Sequence, residues 1–77
     1  MSRPISEIAA EIKQNWKKPY FGAVPYLQAM FHLNSIDDNY MADSADEIVR
    51  YFLANAMYWR GEVARRVKKE LNAMLKK

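Results

Sequence analysis

The chain predicts an all-α fold, a small bundle of about four helices over residues 4–17, 22–34, 45–56 and 58–75, in a single domain spanning 1–77. Three observations predict it. Apolar residues recur at three- and four-residue spacing along most of the chain, the period of a helix with one buried face. Start and stop signals (Pro4, Pro19, Pro25 and the Ser44–Glu47 pair) fall at the ends of those stretches. Half of the residues are hydrophobic and only two are glycine, so neither a disordered chain nor a Gly-rich phosphate loop fits.

The first helix places Ile5, Ile8, Ala9, Ile12 and Trp16 on one side, with Glu7, Glu11 and Gln14 opposite. Pro4 suits its first turn, and Ser2 or Ser6 is the expected N-cap. Pro19 stops it, because the residue before a proline is pushed out of the helical region. Tyr20 to Pro25 form an aromatic turn into a second helix, whose apolar face is Leu27, Met30, Phe31 and Leu33 with Tyr26 flanking. Gln28 and His32 take its other side, and Asn34 and Ser35 end it. Residues 35–43 are polar and acidic and read as a loop.

Ser44-Ala45-Asp46-Glu47 reads as a capping box, with Ser44 as N-cap and Glu47 at the third helical position. Its two acids also suit the positive end of the helix dipole. Ile48, Val49, Phe52, Leu53 and Ala56 carry the third helix. The pattern stumbles between Asn55 and Gly61, where a short break near 55–58 is expected and one long bent helix is the alternative. Trp59, Val63, Val67, Leu71, Met74 and Leu75 form the seam of the fourth helix.

Composition narrows the function classes. With no cysteine the chain has no disulfide, no thiolate metal site and no thiol nucleophile, and its single histidine excludes two-histidine metal motifs. The longest uncharged apolar run, Tyr20 to Leu27, is far short of a membrane span and contains Gly and Pro. No apolar core of the signal-peptide kind follows Arg3, so the expected location is the cytoplasm. The net charge of +3 is unevenly spread. Residues 1–34 carry +2, residues 35–47 carry −5 with no base, and residues 50–77 carry +6.

Few residues invite chemistry. A calcium loop started at Asp37 finds Asn39 in place, but Met41, Ala42 and Ile48 fill positions that need an oxygen ligand, a glycine and a glutamate. His32 has no nucleophile or orienting acceptor at a recognisable spacing and reads as a surface residue. The expectation is therefore a protein that is not an enzyme and carries no cofactor or metal. Arg65, Lys68, Lys69 and Lys76 share one flank of helix four with no acid among them. They read first as a solvated face near the negative end of the dipole, and as candidate nucleic-acid contacts second. Arg66 is flanked by Glu62 and Glu70 at four-residue spacing and so is partly balanced. Arg60 falls inside the apolar seam beside Trp59 and Ala64, and a structural ion pair with the acids of residues 37–47 is expected.

Ten aromatics exceed what so small a core must hold. Tyr20, Phe21, Tyr26, Tyr40 and Tyr58 lie at turns or seam edges and are the candidate protein interface.

Three stretches carry a resemblance: Trp16 to Leu27 (WKKPYFGAVPYL), Tyr51 to Ala56 (YFLANA) and Trp59 to Glu62 (WRGE). They resemble a group of short bacterial proteins associated with phages and integrative mobile elements. The likeness covers nearly the whole chain and brings no catalytic motif. It implies a stand-alone accessory protein that modulates replication, transfer or host defence. The function expected is binding of a protein partner, as a monomer or homodimer and away from membranes; the alternative is nucleic-acid binding through helix four.

Overall fold

The computed structural model describes residues 3–75. Its elements in chain order are α1 (Ile5–Asn15), α2 (Val24–Met30), β1 (Asn39–Tyr40), β2 (Asp43–Ser44), α3 (Ala45–Ala54) and α4 (Glu62–Leu75). The fold is a small, mostly α-helical bundle, as expected. Each helix packs on the next in chain order, and α4 closes the ring by packing on α1. The shared core holds Ile5, Ile8, Ile12, Met30, Leu33, Val49, Phe52, Val67 and Leu71, all fully buried. Each such side chain contributes about 1.5–3 kcal/mol of burial.

Local chemistry explains where the helices depart from the expected bounds. The first N–H groups of α1 need acceptors, and none comes from a serine. Ile5 and Ser6 instead donate to the carbonyls of Asn34 and Leu33, at 2.9 and 2.8 Å. The end of the α2 segment thus caps the start of α1, with Pro4 at the N-cap position and Ser6 inside the helix. The other expected cap, Ser2, lies outside the described residues.

The second helix is shorter than the expected 22–34. It starts at Val24, and beyond Met30 the chain winds on to Leu33 through tighter bonds, each N–H reaching back three residues. Phe31 falls in that turn and is exposed instead of lining the apolar face, while Ala29 is buried.

Residues 39–44 form a two-stranded antiparallel hairpin where a plain loop was expected, with Asn39 opposite Ser44 and Tyr40 opposite Asp43. Met41 turns it with a φ of 56°. Ser44 is the N-cap residue of α3, yet the capping box does not form as expected. Its hydroxyl donates to the carboxylates of Asp46 and Glu47, and Asp46 accepts the Glu47 N–H at 2.9 Å.

The break after α3 is real. Asn55 caps the helix, Trp59 donates back to Ala56, and Gly61 adopts a φ of 116° before α4 begins at Glu62, not at residue 58. Arg60 consequently sits outside the helix, and its expected place in the seam does not exist. It is exposed, and the ion pairs among the described residues join only Arg3, Glu11, Glu70 and Arg66.

Candidate functional site

Two turns meet at one end of the bundle. The first, Tyr20 to Ala23, is closed by the Ala23 N–H on the Tyr20 carbonyl at 2.8 Å. The second runs from Ala54 to Trp59. Trp16 and Trp59 lie beneath them, both buried and stacked with centroids 5.7 Å apart. Trp16 also meets Phe52 edge-on at 6.2 Å, which ties the turns to the core.

Above the tryptophans the rings are exposed. Tyr20 touches Phe21 at 4.8 Å and Tyr58 at 5.7 Å between centroids. Phe21 is 79% exposed, Tyr58 70% and Met57 68%. Exposed large side chains gathered in one place make this end of the bundle a candidate contact surface. Between them lies an open cleft of about 180 Å³ lined by Tyr20, Ala54, Asn55, Met57 and Tyr58. Gly22 permits the close approach of the two turns. A Cβ there would stand 2.7 Å from both the Asn55 side-chain oxygen and the Tyr20 ring.

Three of the five expected interface aromatics, Tyr20, Phe21 and Tyr58, therefore assemble into one patch. The other two do not join the ring contacts there. Tyr26 is half-buried and stacks on Tyr51 at 5.5 Å. Tyr40 is half-buried at the hairpin and stacks on His32 at 5.2 Å. His32 itself is exposed. Met57 and Asn55 are the residues that sequence reasoning missed. Met57 stands next to Tyr58 at the helical break, and that position outside any seam was the available signal.

The basic flank of α4 is only partly free. Arg65 and Lys69 are exposed, but Lys68 is half-buried and donates its amine to the Trp59 carbonyl at 2.7 Å. Burial, and then the charge of Arg60, lower the Lys68 pKa from its ordinary value. Lys76 lies outside the described residues. Arg66 pairs with Glu11 of α1 in place of its own helix's acids. Arg3 binds both oxygens of Glu70, at 2.8 and 3.1 Å, and reaches Glu11 at 2.7 Å. This network joins α1 to α4 and holds Glu11 below the ordinary carboxylate range, chiefly through hydrogen bonds from Arg66 and Arg3.

Among the described residues no cluster of His, Asp and Glu has the arrangement of a metal site. No described helix is long and apolar enough to cross a membrane. The fold and the patch together define a small helical bundle with an exposed aromatic surface at one end. Comparison with protein-family models, with curated proteins and with solved structures finds no match.

Proposed function

We propose that this chain is a non-catalytic protein-binding module whose partner docks on the Tyr20–Phe21–Met57–Tyr58 patch. One observation carries the reading: four exposed side chains gather around Tyr20, which touches Phe21 and Tyr58 and lines one cleft with Met57, on a domain whose core is already filled by other residues. Aromatic and methionine side chains of this kind are enriched in the centres of protein interfaces. The accessory role in a mobile element rests on the sequence resemblance alone.

A pulldown from the source cells tests the reading, with the wild type beside a Phe21→Ser/Tyr58→Ser variant. The expected outcome is a partner retained saturably by the wild type and lost by the variant. Retention that ignores these substitutions would count against it.

The basic flank supports the second reading, because Arg65 and Lys69 are exposed on the same face one helical turn apart. Anisotropy titrations of labelled duplex and single-stranded nucleic acid across a salt series decide it. Binding that weakens steeply with salt and vanishes in an Arg65→Glu/Lys69→Glu variant would put nucleic acid first.

A further inference from the structure

The acidic hairpin and the aromatic patch occupy opposite ends of one helix pair. α2 leaves the patch at Val24 and ends beside the loop that leads to the hairpin; α3 starts at the hairpin and returns to the patch at Ala54. Ten residues of α3 alone separate them by about 15 Å. The two ends differ in charge. Residues 37–47 carry five acids and no base. The turns that build the patch, residues 16–23 and 54–60, carry three bases and no acid, whereas Arg50 sits beside Asp46 at the acidic end. Lys17 and Lys18 lie between Trp16 and Tyr20 in the chain and Arg60 follows Trp59, and all three bases are exposed.

The hairpin also carries an apolar tip. Met41 is 86% exposed and held in the left-handed region, which residues other than Gly, Asn and Asp rarely adopt. A bare methionine two residues before exposed Asp43 suits a cleft that is lined by Met57 and two tyrosines, on turns that carry three exposed bases. Thioethers pack favourably against aromatic rings.

We propose that the hairpin of one copy docks in the cleft of a second copy, with Met41 seated between Tyr20, Met57 and Tyr58 and Asp43 facing Lys17 and Lys18. This inference rests on the reading of the patch as a protein-docking surface and names its occupant. The two surfaces differ, so the contact made reciprocally closes a two-fold dimer, and made head to tail it gives rings or linear chains. Two patches face to face would bring the exposed bases of these turns toward one another, which disfavours pairing patch to patch. Single-stranded nucleic acid is disfavoured by ring geometry. Tyr20 is tilted 49° to Phe21 and 56° to Tyr58, so the rings offer no parallel row for stacked bases. A hairpin tip in a small cleft is a modest interface, so weak association, with a dissociation constant of up to about 1 mM, is expected.

Sedimentation equilibrium of the full chain over a concentration series tests this, with two variants. Lys17→Glu/Lys18→Glu disables the cleft side, and Met41→Ser/Asp43→Lys disables the hairpin side; far-UV circular dichroism confirms that both fold. The wild type is expected to gain mass with concentration and lose it at high salt, while each variant alone stays monomeric. Mixed one to one, the variants should form a dimer, because each keeps the surface the other lacks. A wild type that stays monomeric at about 1 mM, where even a contact of that strength would be substantially populated, overturns the proposal. So does association that persists in either variant, or a mixture that stays monomeric. A monomeric chain that still retains a different protein through Phe21 and Tyr58 overturns this inference alone. Saturable binding of a labelled single-stranded oligonucleotide, lost on Phe21→Ser/Tyr58→Ser, overturns both it and the protein-docking reading.

Discussion

At Gly22 a single hydrogen decides whether two turns can meet. The glycine stands where a Cβ would overlap the Asn55 oxygen and the Tyr20 ring, each at 2.7 Å. Gly22→Ala is therefore expected to cost about 1 kcal/mol as an overpacking change, since both neighbours are side-chain ends, and to turn the Tyr20 ring and the Asn55 amide aside. A thermal melt reads the first effect, and a weaker partner signal in the pulldown reads the second. Lys68 is the other residue whose role is set by one contact. Its amine bonds the Trp59 carbonyl within the turn that precedes α4, and burial works against its charge. Lys68→Met keeps the aliphatic stem and removes the donor, so a loss of about 1–2 kcal/mol is expected in denaturant unfolding. A variant as stable as the wild type would show that the bond contributes nothing net. Neither role was legible in the sequence, where Lys68 belonged to a basic stripe and Gly22 to an aromatic turn.

Among the elements, α1 and α4 depend on charge as well as on packing. Glu11 sits between Arg3 and Arg66, and their hydrogen bonds hold its carboxyl below the ordinary value. A depressed carboxylate contributes stability above its unfolded pKa of about 4.3, and that contribution is lost as pH falls from there through the folded value. Asp38 acts in the same sense, because the N–H groups of Asn34 and Ser35 hold its carboxylate low, as the Ser44 hydroxyl does for Asp46. The melting temperature is thus expected to change little between about pH 7 and 5 and to fall below about pH 4.3. Glu11→Gln should flatten part of that fall and cost about 1 kcal/mol or less at pH 7, since the partners are partly solvated and screened. Melts at pH 7 and at about pH 3.5, on either side of the carboxylate range, check both points.

The helices themselves were largely legible from apolar spacing and the prolines. Their ends were not, because tertiary groups finish them: the carbonyls of Leu33 and Asn34 start α1, and Gly61 delays α4. The hairpin left no sequence signal, since Met41 holds a backbone shape usually given to glycine or asparagine. Reading Arg60 on a helical wheel failed for the same reason as the start of α4. Turn position was enough to mark Tyr20, Phe21 and Tyr58, whereas the Tyr26–Tyr51 and His32–Tyr40 stacks depend on contacts no spacing reveals.

For the whole molecule, the radius of gyration of 11.1 Å is close to the roughly 11.5 Å of a compact chain of this length. The described residues therefore form one packed body, and its stability is small. At ordinary values per residue a chain of this size holds about 4–12 kcal/mol. Phe52 is the largest fully buried side chain and the edge partner of Trp16, so Phe52→Ala should cost about 3–5 kcal/mol. That is a quarter of the total or more, and at the low end of the total it is enough to populate the unfolded state. Phe21 and Met57 are as apolar, but they lie above the buried layer and meet solvent. Phe21→Ser/Met57→Ser should therefore move stability by no more than about 0.5 kcal/mol per site. Urea unfolding followed by tryptophan fluorescence compares the two cases, since Trp16 and Trp59 report from between core and patch. A large loss from the surface pair would make the patch part of the core and remove the argument for docking. An unchanged midpoint together with lost partner capture would separate the two sets of apolar residues by role, one holding the fold and the other serving contact.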